Sequence, residues 1–305
     1  MRYRHDSRRM TTEKPRIFTV SGREHGNALI DVLADRLAIS KKRAKRLLDD
    51  RVVFIDGQRI WMARHEVVAS SKIEVQGLGV EKAAKKTGAA GISVLYEDDA
   101  LIVAFKPVGI LSNEGDSVES RLRTVMGNPR IYAVHRLDRD TTGCLLLAKD
   151  ASVRDAMIPL FRERAVEKTY HAIVAGSFPG RRTIRTPIDG QPAITHATVL
   201  QRNAKASVVE LDIETGRTHQ IRRHLLDEGF PVLGDKEYSR NLDSDPLMRR
   251  VPRQMLHASR VAFPHPVTGV RVDVSAPVPE DFRSTCKQFG LRPPSAEKKV
   301  KAPGA

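Results

Sequence analysis

The chain has 305 residues, of which 40% are hydrophobic and 29% charged, and its formal net charge is +15. This basic balance favours a polyanionic partner, because binding to phosphates releases their condensed counterions, although a basic protein without such a partner has the same composition. No run approaches the roughly 20 apolar residues that span a bilayer. The start of the chain lacks an apolar signal core, and its two distant cysteines disfavour a disulfide framework or a cysteine zinc site. We therefore expect a cytoplasmic protein.

Composition divides the chain into five parts. Residues 1–15 and 292–305 are rich in charge, proline and small residues, which is typical of disordered tails. Residues 81–91 (EKAAKKTGAAG) have the composition of a linker. This segment separates a small module, residues 16–80, from a large module, residues 92–291, and both have sizes that suit independent domains.

Two helices and a hairpin are predicted in the small module. Apolar residues recur at helical spacing from Leu29 to Leu37, and Ser40 is a suitable N-cap for a second helix that runs through Leu48. The turn Asp56-Gly57 lies between two short strand-like runs, which indicates a hairpin that ends at Ile60.

One face of the second predicted helix is basic and consists of Lys41, Lys42, Lys45 and Arg46. A cationic helix face beside a hairpin suits contact with a phosphate backbone, although a solvated helix face has the same pattern. The segment LADRLAISKKRAKRLLDDRVVFIDG resembles the S-four-type RNA-binding domain. That resemblance implies RNA binding by residues 16–80 and says nothing about a reaction.

The large module alternates strand-like runs with turns and a few helices, which predicts an α+β fold around a largely antiparallel sheet. Strands are predicted at residues 93–96, 101–105, 145–148, 170–174, 208–213 and 270–274. A helix is predicted at residues 151–164, and a second one follows the segment ETGRTHQIR and ends at Gly229.

The most informative segment is HRLDRDTTG, residues 135–143. It forms a polar loop between predicted strands, and catalytic groups concentrate in such loops on rigid scaffolds. Taken alone, the segment could be a turn whose aspartates bond their own backbone.

Further motifs follow that loop in the chain: KTY at 168–170, TGRTHQIRRH at 215–224, GD at 234–235 and LHA at 256–258, while FKPVGI precedes it at 105–110. Together they resemble the motif series of the RluA-type pseudouridine synthase family from Ser93 to Ala276. The resemblance implies an α+β domain around a long antiparallel sheet with the active site in its central cleft. It also implies isomerisation of uridines in structured RNA, which requires neither a cofactor nor a metal.

By this resemblance Asp138 is the essential aspartate, Tyr170 the active-site tyrosine and Arg217 the basic residue of TGR. The carboxylate must stay ionised in a desolvated cleft, and an opposite charge nearby favours that form. We therefore expect Arg217 to form a buried ion pair with Asp138. The structural alternative for Tyr170 is a core tyrosine at the start of a strand.

The resemblance further implies that Arg136 fills the space of a base flipped out of its stack, whereas a sheet-edge salt bridge is the alternative role. It implies that Ile221 lines the pocket. The chain departs from the family pattern at Phe105 and at residues 112–115 (SNEG). The histidines of these motifs lack the spacing of a helical zinc motif, so we expect no metal site.

The resulting prediction is a monomeric RNA-modifying isomerase without a small-molecule cofactor or a membrane partner. Large-subunit ribosomal RNA is the expected substrate by analogy alone, and transfer RNA is the alternative. A second hypothesis is a non-catalytic RNA-binding protein of ribosome assembly. A DNA-binding protein or metal-dependent hydrolase would explain the charge but not the motif series.

Overall fold

The computed structural model describes residues 15–37, 39, 41–76, 91–239 and 245–294, without the side chains of Lys42 and Arg43. The chain divides into two compact units, Met1–Glu81 and Lys82–Ala305. Most of the predicted tails, residues 1–14 and 295–305, lies outside the described residues, as do residues 81–90 of the predicted linker and the predicted cap Ser40.

The N-terminal unit contains two helices and a four-stranded antiparallel sheet that share one hydrophobic core. Its elements are β1 (Arg16–Thr19), a 3₁₀ turn (Gly22–Glu24), α1 (Leu29–Arg36), α2 (Lys41–Asp49), β2 (Val53–Ile55), β3 (Gln58–Arg59) and β4 (Lys72–Val75), with the strand order β1-β4-β2-β3. Asp56 and Gly57 both have positive φ angles, 47° and 79°, as the tight turn of a β2–β3 hairpin requires. The two predicted helices and the predicted hairpin are confirmed.

The second unit is built on a ten-stranded sheet. Its strands are β5 (Ser93–Glu97), β6 (Leu101–Lys106), β7 (Tyr132–Ala133), β8 (Thr142–Ala148), β9 (Glu167–Ala175), β10 (Arg181–Ile184), β11 (Thr195–Arg202), β12 (Ala206–Ile213), β13 (Leu256–Pro264) and β14 (Arg271–Ser275). They follow the order β10-β11-β12-β9-β13-β8-β6-β5, with β14 beside β13 and β7 beside β8. The pair β13–β8 is parallel and the other pairs are antiparallel, which confirms the predicted α+β fold with a largely antiparallel sheet.

Both faces of the sheet are buried at its centre. Along β9, Ala172 and Val174 contribute to one hydrophobic cluster, whereas Ile173 and Ala175 contribute to the other. This alternation follows from the two-residue period of a strand. The helices of this unit are α3 (Val118–Met126), α4 (Ala151–Arg162), α5 (Gln220–Asp227), α6 (Pro246–Arg249) and α7 (Glu280–Gln288). Within the described residues, no helix has the length and apolar character needed to cross a membrane.

Every strand predicted in the large module is present, but β7, β10, β11 and β13 were not predicted from the sequence, and of these β13 lies between β8 and β9. Its sequence, LHASRVAFP, is interrupted by polar residues. These find partners inside the fold: His257 bonds to the Thr142 hydroxyl, and Ser259 donates to the carbonyl of Thr169. Because buried polar groups are tolerated once they are hydrogen-bonded, such a strand does not show a clear apolar pattern.

Candidate active site

The loop between β7 and β8 brings Asp138 to the centre of the sheet. It leads into Thr142, where β8 begins between its neighbours β6 and β13. The N–H of Thr141 donates to the carbonyl of Asp138 over 3.0 Å, which closes a turn in front of the strand. The polar loop predicted from the sequence is therefore both a hydrogen-bonded turn and a segment placed at the middle of the fold.

The segment after β6 holds this loop by its backbone. The N–H of Leu137 donates to the hydroxyl of buried Ser112 (2.9 Å), and that hydroxyl donates to the carbonyl of Leu137 (3.0 Å). The N–H of Gly109 donates to the carbonyl of Arg139 (3.0 Å). Ser112, at which the sequence departs from the family pattern, thus fixes the residue immediately before Asp138.

Lys106, the last residue of β6, is fully buried beneath the same loop. Its ammonium group donates to the carbonyl of Arg139 over 2.7 Å and to that of Pro107 over 3.0 Å. Burial lowers the pKa of Lys106 to about 8, against the opposing influence of the Asp140 and Asp138 carboxylates. The sequence reading did not assign Lys106 a role, although a lysine at the end of an apolar strand signals a need for buried partners.

Gly143 permits the close approach of β8 to β13. Its φ is +119°, and a Cβ at this position would lie 2.1 Å from the carbonyl oxygen of Ala258. No side chain fits there, so the glycine of HRLDxxTxG is required by the parallel pairing of the two strands at Gly143 and Ala258.

The described part of the protein donates hydrogen bonds to only one oxygen of the Asp138 carboxylate, Oδ2. Arg222 Nη1 lies 3.1 Å from Oδ2, and Gln254 Nε2 lies 3.5 Å from the same atom. The other oxygen, Oδ1, has His219 Nε2 at 3.9 Å. The Asp138 side chain is 23% exposed, so the carboxylate is held by the protein and still accessible from the pocket.

Arg222 is a buried arginine whose guanidinium contacts three carboxylates. It forms a two-pronged ion pair with Asp235, with distances of 2.5 and 2.8 Å, and a further contact of 3.0 Å with Glu237. Burial by itself would lower the pKa of Arg222, but the hydrogen bonds and charges of Asp235 and Asp138 raise it above its ordinary value. Its guanidinium also lies 4.8 Å from the ring centroid of Tyr238. The cation is therefore permanently charged and fixed in orientation.

The prediction that Arg217 forms the buried ion pair is wrong, because Arg222 occupies that place. Arg217 is exposed, and its guanidinium donates instead to the carbonyl of Pro192 over 3.2 Å. It lies before the first turn of α5, whereas Arg222 lies within the helix on its buried side. Arg217 nevertheless lines the same pocket as Asp138.

Tyr170 and Ile221 form buried walls of this pocket, with exposures of 7% and 5%. Tyr170 projects from β9, and its hydroxyl has no hydrogen-bond partner among the residues that the structure describes. Burial and the nearby Asp138 carboxylate raise the pKa of Tyr170 above its ordinary value. The tyrosine is therefore a neutral phenol beside the aspartate.

Arg136 is an exposed residue at the rim of the pocket. Within the described part of the chain it has no acidic partner, so the alternative of a sheet-edge salt bridge finds no support. The fold thus brings together all five residues that the sequence reading assigned to the catalytic module: Arg136, Asp138, Tyr170, Arg217 and Ile221.

The predicted basic face belongs to α2 in the other unit. Lys41, Lys45 and Arg46 are exposed, while the side chain of Lys42 lies outside the described residues. Lys41 pairs with Asp31 over 2.8 Å, but both side chains are largely exposed, and such pairs contribute little stability. The contact of this face with RNA stays a prediction.

A signal for Arg222 was present in the sequence. In α5, Arg222 and Leu225 are three residues apart and both are buried. Residues at this spacing share a helix face, so an arginine within an apolar face signals a buried carboxylate partner. The identity of that partner was not readable, because Asp138 lies 84 residues away in the chain.

Comparisons with known proteins agree with this geometry. Residues 100–227 match the RNA pseudouridylate synthase family. The chain is 34% identical over 222 residues to the ribosomal large subunit pseudouridine synthase D of Pseudomonas aeruginosa. This alignment covers 63% of this chain and 69% of the relative. It is 28% identical over 312 residues to the protein of the same name from Vibrio parahaemolyticus. That alignment covers 90% of this chain and 96% of the relative.

Among solved structures, human RNA pseudouridylate synthase domain containing 4 superposes with a TM-score of 0.56 at 25% identity. The alignment covers 66% of this chain and 94% of the human one. Human RNA pseudouridylate synthase domain containing 1 gives a TM-score of 0.53 at 27% identity, over 61% of this chain and 83% of that one.

Proposed function

This chain belongs to the RNA pseudouridylate synthase family, and on that premise we propose that it converts specific uridines of large-subunit ribosomal RNA to pseudouridine. The observation that carries the proposal is the Asp138 carboxylate, held by buried Arg222 in a pocket that Tyr170 also lines. The names of the bacterial relatives, which specify the large ribosomal subunit, support this choice of RNA.

The reaction explains why a carboxylate stands at the centre of the site. The bond from the ribose C1′ to uracil N1 breaks, the base turns, and a new bond joins C1′ to C5. The hydrogen on C5 leaves as a proton and N1 gains one, so the product is an isomer and no redox partner is needed. Asp138 acts on the ribose, either as a nucleophile at C1′ or as a base that removes a ribose proton.

Arg222 is proposed as the positioning residue for Asp138. Its contact on Oδ2 leaves Oδ1 directed to the substrate, and its charge favours the ionised carboxylate. The pairs with Asp235 and Glu237 fix the guanidinium itself, so the geometry of Asp138 does not depend on RNA binding.

The other pocket residues are proposed to bind the uridine. Tyr170 offers a flat face for the uracil and a hydroxyl that bonds to none of the described residues, and Ile221 contributes apolar surface. A uridine in folded RNA must leave its stack before a carboxylate can reach the sugar. We propose that Arg136, exposed at the rim, occupies the vacated space and that exposed Arg217 contacts the backbone of the opened RNA.

The N-terminal unit is proposed as an S-four-type RNA-binding domain that uses Lys41, Lys42, Lys45 and Arg46. The proposal rests on the order of α1, α2 and the hairpin and on the charge of α2. We further propose a cytoplasmic enzyme that acts as a monomer and without a cofactor.

The test is release of tritium from RNA labelled at C5 of uracil, since only the exchange of the C5 hydrogen frees the label. Unmodified large-subunit ribosomal RNA and bulk transfer RNA are compared as substrates for the wild type and for Asp138→Asn. We expect release from ribosomal RNA by the wild type and none by the variant, because the amide cannot act as a nucleophile or base.

An exposed acid outside the pocket lining serves as the control. Asp116 pairs with Arg121 at the surface, and Asp116→Asn should release tritium at the wild-type rate. Release from transfer RNA alone would assign transfer RNA, in place of ribosomal RNA, as the substrate. Binding of RNA without any release would instead favour the ribosome-assembly hypothesis.

A further inference from the structure

Trp61, the only tryptophan of the chain, lies on the surface of the N-terminal unit and is 56% exposed. It lies two residues after the end of β3, between Ile60, which packs against the core, and Met62, which is 57% exposed. Single exposed hydrophobic residues are ordinary on protein surfaces. The residues around the indole distinguish Trp61 from such a residue.

Arginines flank this surface. The guanidinium of Arg51 lies 5.7 Å from the centroid of the Trp61 ring, and that of Arg59 lies 5.2 Å from the centroid of the Phe54 ring across the hairpin. Arg64, three residues after Trp61, is exposed. Within the described part of the chain, none of the three arginines forms an ion pair with a carboxylate. The surface thus combines an indole that is 56% exposed, with Arg51 over its ring, and arginines that have no carboxylate partner among the described residues.

The backbone that carries the indole is fixed before any ligand binds. The N–H of Ile60 donates to the carbonyl of Val53 in β2, and the N–H of Ile30 in α1 donates to the carbonyl of Ala63. These bonds, of 3.0 and 3.1 Å, lie on either side of Trp61 and Met62. A ligand therefore pays little conformational entropy to use the indole as a platform.

We propose that Trp61 stacks on an unpaired base of the substrate RNA while Arg51 and Arg59 contact the flanking phosphates. Aromatic side chains interleaved with arginines are the chemistry of single-stranded nucleic-acid binding, in which each base supplies a π-face and each linkage a charge. An acidic peptide would satisfy the arginines but leave the indole without a flat partner. The inference rests on the proposed function for the identity of the ligand, and adds a contact in the unit that does not carry Asp138.

The emission of Trp61 reports on this surface alone, because the chain has no other tryptophan. The full-length protein is titrated with a dye-labelled single-stranded oligoribonucleotide of about ten nucleotides, a length within the site sizes of such proteins. We expect quenching of the emission in step with the rise in dye anisotropy. Unchanged emission at saturating anisotropy would overturn the proposal. Equal quenching by inorganic polyphosphate or by a glutamate-rich peptide would also overturn it, because neither ligand carries a base.

Variants separate stacking from charge. Trp61→Ala should weaken oligonucleotide binding roughly 5- to 150-fold, the equivalent of one lost stacked base, and Trp61→Phe should restore most of the affinity. Met62→Ala is the matched control, since Met62 is equally exposed, and should bind as the wild type does. Trp61→Ala should leave the salt dependence unchanged, whereas Arg51→Gln should reduce its slope by about 0.7.

Wild-type affinity in Trp61→Ala, or equal weakening in Met62→Ala, would contradict the stacking contact. Thermal melting of each variant checks that the unit remains folded. Tritium release on the same preparations distinguishes the two proposals. Release without quenching would refute the stacking contact alone, whereas quenching without release would refute the isomerase and leave the contact standing.

Discussion

Asp138 shares the Arg222 cation with two other acids, Asp235 and Glu237. Arg222 and Arg217 therefore contribute unequally to stability. Asp235 is 1% exposed and depends on Arg222 for its charge compensation, whereas Arg217 serves a single backbone carbonyl at the surface. Removing one partner of a buried ion pair costs far more than removing an exposed one, because the remaining charge stays desolvated.

We therefore predict that Arg222→Met lowers the free energy of unfolding by roughly 3–5 kcal/mol and abolishes tritium release. The change retains an unbranched side chain but leaves Asp235 and Asp138 without their cation. Arg217→Met is the matched control and should cost less than about 1 kcal/mol, the value of one exposed hydrogen bond. Thermal and urea unfolding measure both. Equal destabilisation by the two changes would contradict the assigned pairing.

Tyr170 allows a separate test of the phenol, because its hydroxyl bonds to none of the described residues. Tyr170→Phe should leave the melting temperature and the RNA affinity near their wild-type values. If the hydroxyl takes part in proton transfer, the single-turnover rate should fall by about 100-fold or more. Wild-type turnover in this variant would leave stacking on the uracil as the only role of the ring.

At the scale of elements, the active site depends on how closely β8 and β13 approach. Asp138 lies immediately before β8, and the contact between Gly143 and the Ala258 carbonyl fixes where that strand lies. A change at this glycine therefore acts on the strands first and on the carboxylate through them.

Gly143→Ala is expected to cost at least about 2 kcal/mol, since it adds a steric clash with the backbone to an unfavourable φ. Gly127 ends α3 at φ +61° with open space around it, so a substitution there has the unfavourable φ without the steric clash. Gly127→Ala should cost only about 1 kcal/mol. Chemical denaturation measures the free energy of unfolding of both variants. A similar loss in the two would mean that β8 and β13 move apart easily, against the expected clash.

At the scale of the whole molecule, stability should depend on pH through a buried histidine. His257 is fully buried in β13, its Nε2 has no hydrogen-bond partner among the described residues, and burial together with the neighbouring His171 lowers its pKa to about 3. Between its ordinary value of 6.5 and about 3, the unfolded chain binds a proton that the folded chain does not. Acidification in this window therefore favours unfolding.

From pH 6.5 to pH 5 we expect His257 to remove roughly 1.6 kcal/mol from the free energy of unfolding, with a slope that approaches about 1.4 kcal/mol for each pH unit as the unfolded histidine becomes fully protonated. His257→Gln should show a shallower decline over the same range, whatever its stability at pH 7.5. The measurement is urea unfolding at several pH values. Parallel curves for wild type and variant would contradict the lowered pKa.

The sequence by itself determined the elements whose signals are local. The helical spacing from Leu29, the Asp56-Gly57 turn and the run Leu101–Lys106 each contain their own periodicity or turn chemistry, so each was predictable. The polar loop around Asp138 was identifiable for the same reason, since its motif is contiguous.

Only the tertiary structure decided which partners those elements meet. The Asp138–Arg222 pair joins residues 84 positions apart, and Arg222 forms it because Arg222 lies on the buried side of α5, whereas Arg217 precedes the helix. The strand β13 was hidden because its apolar pattern is interrupted by His257 and Ser259, which bond through Nδ1 and the hydroxyl to Thr142 and Thr169 of neighbouring strands. Local patterns record the propensity of a segment, whereas ion pairs and strand neighbours depend on packing between segments distant in the chain.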